Sequence, residues 1–250
     1  MDMTGHTILV TGGASGIGRR LAEAFHARGN TVIVAGRRRA ALDAVVAANP
    51  GMVGMELDVA DPAAVAAFAE RLVAEHPALD AVIHNAGIMR REPLAGAPAW
   101  LADAEAMIAT NLTGPIRLTA ALLPHLLARP KAAILTVTSG LAFVPSTGFP
   151  TYSATKAALH AWTQTLRRQL AETAVEVIEI APPYVQTELT GPHQAVDPRA
   201  MPLADYIAEV LSLLEQVPTP PEIIVERCKP LRFARETGAF DQIFEALAAH

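Results

Sequence analysis

Short apolar runs alternate along this chain with longer segments in which apolar residues recur at helical spacing. A short apolar run bounded by turn residues is typical of a buried strand. Seven such runs predict strands at His6–Thr11, Thr31–Ala35, Met52–Leu57, Leu79–His84, Ala132–Val137, Val175–Ala181 and Glu222–Glu226. The segments between them predict helices near residues 16–29, 39–48, 62–75, 100–128, 151–171 and 203–216.

This alternation of strands and helices is typical of parallel α/β proteins with right-handed crossovers. We expect a doubly wound Rossmann fold with helices on both faces of a seven-stranded, mostly parallel sheet in the order 3-2-1-4-5-6-7. No linker, repeat or low-complexity tract interrupts the pattern, so a single domain over residues 1–250 is expected. The Pro- and Gly-containing segment near 188–203 is interpreted as a short substrate lid.

Composition narrows the class of protein. The chain is 51% hydrophobic and 18% charged with a formal net charge of −5, and its longest basic run is Arg37–Arg39. A nucleic-acid partner is not expected, because it would require a basic face. The single cysteine, Cys228, excludes an intramolecular disulfide, and no long apolar stretch or signal-peptide pattern is present. We therefore expect a cytoplasmic protein with no membrane partner.

A glycine-rich turn follows the first predicted strand and opens the first predicted helix. It reads Thr11-Gly12-Gly13-Ala14-Ser15-Gly16-Ile17-Gly18. Glycines at such a turn allow the backbone to approach a pyrophosphate, and the helix N-terminus offers free N–H groups to it. An ordinary glycine-rich turn is the alternative. The position of the turn in the first βαβ unit favours dinucleotide binding, with Gly12, Ser15, Gly16, Ile17 and Gly18 as contacts.

The spacing TGxxxGxG resembles the glycine motif of the short-chain dehydrogenase/reductase family, and the resemblance continues to about Thr187. It implies that Asp58 and Val59, after the third strand, contact the adenine of the cofactor. It also implies that Asn85-Ala86-Gly87, after the fourth strand, supports the sheet beside the cofactor. Each of these segments, taken alone, could be a simple turn at a strand end.

The end of the second predicted strand indicates which nicotinamide cofactor binds. An NAD site normally has an acidic residue there for the ribose 2′-hydroxyl. This chain has Gly36 followed by Arg37, whose planar guanidinium suits a 2′-phosphate. The alternative is that the arginines begin a solvated helix, an interpretation that suits Arg39 and also Arg38. In the family, a basic residue at Arg37 is similar to the NADP-preferring pattern, so NADP is expected rather than NAD.

Tyr152 and Lys156 lie four residues apart, and Ser139 lies thirteen residues before Tyr152 at the end of a predicted strand. The i, i+4 spacing places the tyrosine and lysine on one helical face. A neighbouring ammonium is expected to lower the pKa of a phenol, so that it can exchange a proton as hydride moves. A helix-surface pair is the alternative. Ser139, Tyr152 and Lys156 resemble the family's catalytic triad in type, order and spacing.

Asn111 lies four residues before Pro115 within the predicted helix 100–128. Proline has no N–H, so the Asn111 carbonyl should be free and the helix should kink. The resemblance implies a proton relay from Tyr152 through the cofactor ribose and Lys156 to a water at Asn111. The alternative is that Gly114-Pro115 ends one helix and begins another.

After the sixth strand the chain departs from the family pattern. The usual Pro-Gly is Pro182-Pro183 here, followed by Tyr184, Val185 and Thr187. Pro182, Val185 and Thr187 are still expected to contact the cofactor, whereas Pro183 removes a backbone donor. An apolar substrate pocket is predicted from Ile88, Met89, Leu141, Phe143, Phe149 and Tyr184. Arg90 and Arg91 are interpreted as solvated, with an anionic substrate as the alternative, and the eight histidines show no metal-ligand spacing.

The resemblance implies an NADP-dependent carbonyl reductase or alcohol dehydrogenase acting on a small-molecule carbonyl or alcohol without a metal. A catalytically idle NADPH-binding sensor is the alternative, and a related epimerase is a third reading. In the family, the helices at 100–128 and 151–171 pair across a two-fold axis. A homodimer or homotetramer is therefore expected, with Leu159, Trp162 and Leu166 among the apolar residues of the second helix.

Overall fold

The computed structural model describes residues 1–96 and 98–248. Seven strands form one sheet in the order β3-β2-β1-β4-β5-β6-β7, and every pairing between them is parallel. The predicted fold class and strand order are confirmed. The strands are β1 (Thr7–Thr11), β2 (Thr31–Gly36), β3 (Val53–Glu56), β4 (Ala81–His84), β5 (Ala132–Val137), β6 (Val175–Ile180) and β7 (Glu222–Ile223).

The helices and strands follow the predicted positions with three differences. They are α1 (Gly16–His26), α2 (Arg39–Ala48), α3 (Pro62–Glu75), α4 (Leu101–Ile108), α5 (Gly114–Leu127), α6 (Pro150–Gln169), α7 (Leu203–Leu214), α8 (Lys229–Arg232) and α9 (Phe240–Ala248). The predicted helix 100–128 is divided by a π-helical turn over Ala109–Thr113. The predicted strand Glu222–Glu226 ends earlier, at Ile223, and a 3₁₀ turn begins at Glu226. The two C-terminal helices were not predicted.

The core has two layers, one on each side of the sheet. In β1, Ile8 and Val10 join the cluster under α1 and α7, while Leu9 joins the cluster under α3 and α5. This is the strand alternation that sends successive side chains to opposite faces. Burial on both faces explains why the strands read as continuous apolar runs in the sequence.

The position of the site follows from the strand order. The chain runs outward from β1 to β2 and β3, then returns to place β4 on the other side of β1. Ligands of open α/β sheets bind at the carboxyl ends of the strands where the order reverses in this way. The glycine-rich turn after β1 and the Asn85 segment after β4 both lie at this edge. In the described part of the chain, no helix combines the length and apolar character needed to cross a bilayer.

Candidate active site

The glycine-rich turn depends on two backbone features. Gly12 has φ +66°, a conformation that L side chains rarely adopt, and a Cβ there would lie 2.9 Å from the Ala86 backbone. A Cβ at Gly18 would overlap the side-chain amide of Asn85. Glycine at these positions therefore lets the end of β1 and the first turn of α1 approach the segment after β4.

Hydrogen bonds hold the turn against that segment. The Thr11 hydroxyl donates to the Ile83 carbonyl at 3.2 Å and accepts from the backbone N–H groups of Asn85 and Ala86, both at 3.1 Å. The Asn85 side-chain amide donates to the Thr11 carbonyl, also at 3.1 Å. Asn85 and Ala86 thus connect the turn to β4, while Gly87 lies beside Lys156 Nζ.

A cleft of about 570 Å³ lies over this turn. A smaller adjoining recess is lined by Arg37, Asp58 and Val59. Of the residues predicted to contact a cofactor, all except Gly18 line one or both of these spaces. They are Gly12, Ser15, Gly16, Ile17, Arg37, Asp58, Val59, Asn85, Ala86, Gly87, Tyr152, Lys156, Pro182, Val185 and Thr187. Gly18 contributes instead by close packing.

Arg38 is a residue of this cleft that sequence reasoning did not select. Its guanidinium donates to the Ser15 hydroxyl at 3.2 Å, and the side chain lines the cleft together with Arg37. Arg39 is exposed and pairs with Asp43 one helical turn later, as expected for a solvated helix face. A Cβ at Gly36 would meet no atom within 4 Å, so there is open space beside both arginines.

Ser139, Tyr152 and Lys156 line the same cleft. Ser139 follows β5 and caps a short 3₁₀ turn, its hydroxyl accepting from the Leu141 N–H at 3.1 Å. Tyr152 and Lys156 lie on consecutive turns of α6, and both are buried. Lys156 Nζ donates to the Val137 carbonyl at 2.7 Å and lies 5.6 Å from the centre of the Tyr152 ring.

Burial dominates the protonation of this pair. It raises the pKa of Tyr152 to about 12, although a hydrogen bond with Ser139 acts in the opposite direction. Burial also lowers the pKa of Lys156 to about 8, against the opposing influence of the Glu179 carboxylate. The pKa of Tyr152 is therefore raised and not lowered as the sequence predicted, and the influence that opposes burial comes from Ser139 and not from the ammonium. At neutral pH the phenol holds its proton and most of the lysine is charged.

Asn111 lies in the π-helical turn and is fully buried. Its side-chain oxygen accepts from the Ile88 N–H at 2.9 Å, and its amide donates to the Ile88 carbonyl at 2.9 Å and to the Thr155 hydroxyl at 3.3 Å. The side chain therefore joins the segment after β4 to the helix that carries Tyr152 and Lys156. The widened turn ends at Thr113, two residues before Pro115, in the region where the sequence predicted a distortion.

The segment after β6 is folded against the cleft. The Pro182 carbonyl accepts from the Gly140 N–H at 2.8 Å, next to Ser139. Thr187 lies against Gly16, and its hydroxyl accepts from the Gln194 amide at 3.1 Å. Gln194 is buried and also donates to the Val185 carbonyl at 2.8 Å, so it links the predicted lid to the cleft. Sequence reasoning did not select Gln194.

A second cavity, of about 640 Å³, adjoins the cleft, and its lining combines apolar side chains with polar ones. Arg90 and Arg91 are exposed, as the solvated interpretation expects, but both also line this cavity, as does Arg199. Of the predicted pocket residues, Met89, Leu141, Phe149 and Tyr184 line it, together with Leu189, Leu231 and Leu247. Ile88 lines the cleft instead. Phe143 lines neither of these two spaces but a third cavity, which shares Leu141 and Leu231 with the second one. There it packs edge-on against His160 and under the Arg232 guanidinium.

One group of side chains in the described part of the chain has the mutual distances of metal ligands. His160, Glu179 and Glu222 offer ligand atoms within 4.8 Å of one another, although the sequence shows no such spacing. Their polar atoms have protein partners. His160 Nδ1 lies 2.8 Å from the Glu179 carboxylate, and Arg232 Nε donates to Glu222 at 2.6 Å. We interpret this group as a polar network in which His160 hydrogen-bonds Glu179 and Arg232 forms an ion pair with Glu222.

Two known proteins are similar to most of this chain in sequence. The uncharacterized oxidoreductase DltE of Bacillus subtilis (strain 168) is 39% identical over 251 residues, covering 99% of this chain and 98% of its own. The 3-oxoacyl-[acyl-carrier-protein] reductase FabG of Escherichia coli (strain K12) is 32% identical over 195 residues, covering 76% of this chain and 78% of its own.

A solved structure of a short chain dehydrogenase from Burkholderia cenocepacia J2315, in complex with NADP, matches with a TM-score of 0.82. It is 29% identical, and the match covers 98% of each chain. The family model described as short chain dehydrogenase matches residues 6–197. This chain therefore belongs to the short chain dehydrogenase family of oxidoreductases.

Proposed function

We propose that the chain is an NADP-dependent carbonyl reductase or alcohol dehydrogenase that uses Tyr152 as its proton donor or acceptor. One observation carries the proposal. Ser139 and Tyr152 line both the cleft over the glycine-rich turn and the apolar cavity beside it. A reacting carbonyl at this junction would be within reach of the phenol and next to the cofactor cleft.

The residues that line the cleft suit a dinucleotide. Gly12 and Gly16 leave the backbone accessible at positive φ, and the N-terminus of α1 faces the cleft. Asp58 and Val59 would border the adenine, and Val185 and Thr187 the nicotinamide end. When bound, the nicotinamide supplies the hydride. A relative from Burkholderia cenocepacia has been solved with NADP.

We propose NADP rather than NAD because two arginines border the recess and no acidic residue ends β2. Two guanidinium groups can bind a 2′-phosphate by charge-assisted hydrogen bonds. Asp58 belongs to the same recess, but its side chain is engaged by the Ala60 N–H at 3.0 Å.

The protonation states suit reduction. The Tyr152 phenol is protonated at neutral pH, so it can donate to an alkoxide that develops as the substrate carbonyl is reduced. Ser139 can hydrogen-bond the same oxygen and fix its position relative to the phenol. The Lys156 ammonium stabilises the phenolate that remains. We assign Asn111 to the end of the relay that resupplies this proton through its main-chain carbonyl.

Turnover of a carbonyl compound is the direct test. NADPH absorbance should fall when wild-type protein meets a member of a panel of ketones, aldehydes and quinones. Tyr152→Phe should bind NADPH with unchanged affinity but lose at least about a hundredfold in kcat. Cofactor binding without turnover by the wild type on the whole panel, and no effect of Tyr152→Phe, would favour the NADPH sensor.

We also propose a homodimer or homotetramer built on α4, α5 and α6. Leu159 and Leu166, two of the predicted contact residues, are buried within the chain itself. The outward apolar side chains are instead Leu101, Ile108 and Leu127, which are exposed on α4 and α5, with Trp162 half-buried on α6. Light scattering at micromolar concentration should show an oligomer, and a monomer would contradict the assignment.

A further inference from the structure

Lys156 is a buried cation without a direct counter-ion. Only 3% of its surface is exposed, and its ammonium donates to a neutral acceptor, the Val137 carbonyl. No carboxylate in the described residues lies within ion-pair distance of Nζ. Burying an ammonium is costly unless a negative charge lies near it. The proposed chemistry requires this lysine to stay charged.

Glu179 is the carboxylate that acts on it. Glu179 lies on β6 and is fully buried, and its charge favours the protonated form of Lys156. Its carboxylate accepts from the Thr138 hydroxyl at 2.7 Å and contacts His160 Nδ1 at 2.8 Å. Thr138 immediately precedes Ser139, and His160 lies one helical turn after Lys156. The carboxylate is thus attached to both segments that carry the proposed catalytic groups.

The other titratable groups around Glu179 either have ion-pair partners of their own or are uncharged at neutral pH. Glu222 pairs with Arg232, which also pairs with Glu236. Cys228 is buried nearby, and burial raises the pKa of its thiol to about 12, so it is uncharged at neutral pH. Tyr152 is protonated at that pH, as described above. Lys156 is therefore the lysine whose charge can balance the buried carboxylate, and His160 is its hydrogen-bond partner.

We propose that Glu179 is a positioning residue for the hydride-transfer reaction, whose buried carboxylate keeps Lys156 cationic and, through Thr138 and His160, aligns Ser139 with the helix that carries Tyr152. This inference rests on the proposed function. His160 holds the carboxylate by a hydrogen bond from Nδ1. Neither residue touches the substrate cavity, so their influence passes through Lys156 and Ser139.

The lysine content makes a direct test practical. The chain has three lysines, Lys131, Lys156 and Lys229, and the other two are exposed and pair with carboxylates on the surface. Protein labelled with ¹⁵N-lysine should therefore give three side-chain signals whose titration is followed by NMR. In Glu179→Gln, the midpoint of the Lys156 titration should fall by about one pH unit relative to wild type. The signals of Lys131 and Lys229 should not move.

Two variants control for the loss of a carboxylate. Glu176→Gln removes a partly exposed glutamate from the same strand, where it pairs with the N-terminal amine, and it should leave the Lys156 midpoint unchanged. Glu179→Asp keeps the charge, and its midpoint should return most of the way to the wild-type value. An unchanged Lys156 midpoint in folded Glu179→Gln would overturn the proposal.

The pH dependence of turnover is the second test. Glu179→Gln should lose activity at pH 8 by several-fold more than at pH 6.5, whereas a merely structural defect would lower the rate equally at both values. The NMR titration does not need turnover, so it separates failure of this inference from failure of the proposed reaction. If Glu179→Gln does not fold, His160→Gln serves instead. It keeps the Glu179 carboxylate, so the Lys156 midpoint should stay at or above the wild-type value, and a fall would overturn the proposal.

Discussion

The Lys156 ammonium lies 5.6 Å from the centre of the Tyr152 ring, and both side chains are buried on consecutive turns of α6. Burial moves their two pKa values toward the uncharged forms, that of the tyrosine to about 12 and that of the lysine to about 8. At neutral pH the pair is a protonated phenol beside an ammonium. This is the arrangement required of a proton donor whose conjugate base is stabilised by the neighbouring charge.

The pH dependence of reduction should therefore follow Lys156. Its charge is present below about pH 8 and is lost as the pH rises through that value, whereas Tyr152 keeps its proton throughout. We expect kcat/KM for carbonyl reduction to be level near neutral pH and to fall tenfold per unit well above about pH 8. Lys156→Arg keeps a permanent charge, so its activity, although lower, should not show this decline. A wild-type profile that stays level to pH 10 would contradict the assignment.

Arg37 and Arg38 should both contribute to the choice of cofactor. Arg37→Asp places a negative charge beside the proposed 2′-phosphate site, so NADPH affinity should fall at least tenfold, which is about 1.4 kcal/mol. Arg38→Gln should weaken NADPH binding several-fold, and neither variant should weaken NADH binding. Fluorescence titration with the two cofactors measures this directly.

Arg39→Gln is the matched control, because Arg39 is exposed and paired with Asp43. Its affinity for NADPH should equal that of the wild type. The assignment of the recess to a 2′-phosphate fails if the wild type binds NADH at least as tightly as NADPH, or if Arg37→Asp leaves NADPH affinity unchanged.

The features that sequence predicted are those with a local cause. The buried strands are predictable because burial on both faces requires continuous apolar runs. Gly12 and Gly16 are predictable because a close backbone approach at positive φ requires glycine at a fixed place between strand and helix. Ser139, Tyr152 and Lys156 are predicted from their resemblance to the family's triad, since spacing alone leaves a helix-surface pair possible.

The residues that sequence missed are placed by tertiary packing. Leu231 and Leu247 reach the substrate cavity from C-terminal helices that carry no motif. Gln194 acts through a buried side chain in the segment predicted to be a lid, and the sequence shows Glu179 only as part of a strand. A short 3₁₀ turn follows Ser139, and Phe143 after it packs against His160 beside the neighbouring cavity. No local sequence motif predicts the place of any of these residues in the site.

Pro115 should matter for turnover because it lacks the N–H that would bond the Asn111 carbonyl in an α-helix. Pro115→Ala supplies that donor at the start of α5, next to the π-helical turn Ala109–Thr113. If the carbonyl serves the proton relay, kcat should fall several-fold with little change in NADPH affinity. Steady-state measurement of NADPH oxidation would show the effect, because the phenol must regain its proton between turnovers.

Pro124→Ala is the control, since Pro124 lies in the same helix three turns from Asn111 and outside both cavities. It tests the general effect of removing a helical proline, and its turnover should match the wild type. Equal rates for Pro115→Ala and wild type would remove the relay from the mechanism while leaving the roles of Tyr152 and Lys156 intact.

His84 should make stability depend on acid pH. It lies buried at the end of β4, where its Nε2 is 2.8 Å from the Thr119 hydroxyl, and burial lowers its pKa to about 4. An unfolded chain exposes the same imidazole with a pKa near 6.5. Between these values the unfolded state binds the extra proton, so stability is full above about pH 6.5 and is lost as the pH falls toward 4.

Urea denaturation at pH 7 and pH 5 measures this contribution. The linkage amounts to about 2 kcal/mol of lost unfolding free energy between those two values. His84→Gln can still hydrogen-bond Thr119 but cannot take up a proton. Its unfolding free energy should therefore fall by about 2 kcal/mol less than that of the wild type between pH 7 and pH 5, even if the variant is less stable at pH 7. His193→Gln removes an exposed imidazole and controls for the loss of a histidine. If His84→Gln and wild type lose stability in parallel from pH 7 to pH 5, the buried imidazole is not the group that limits acid stability.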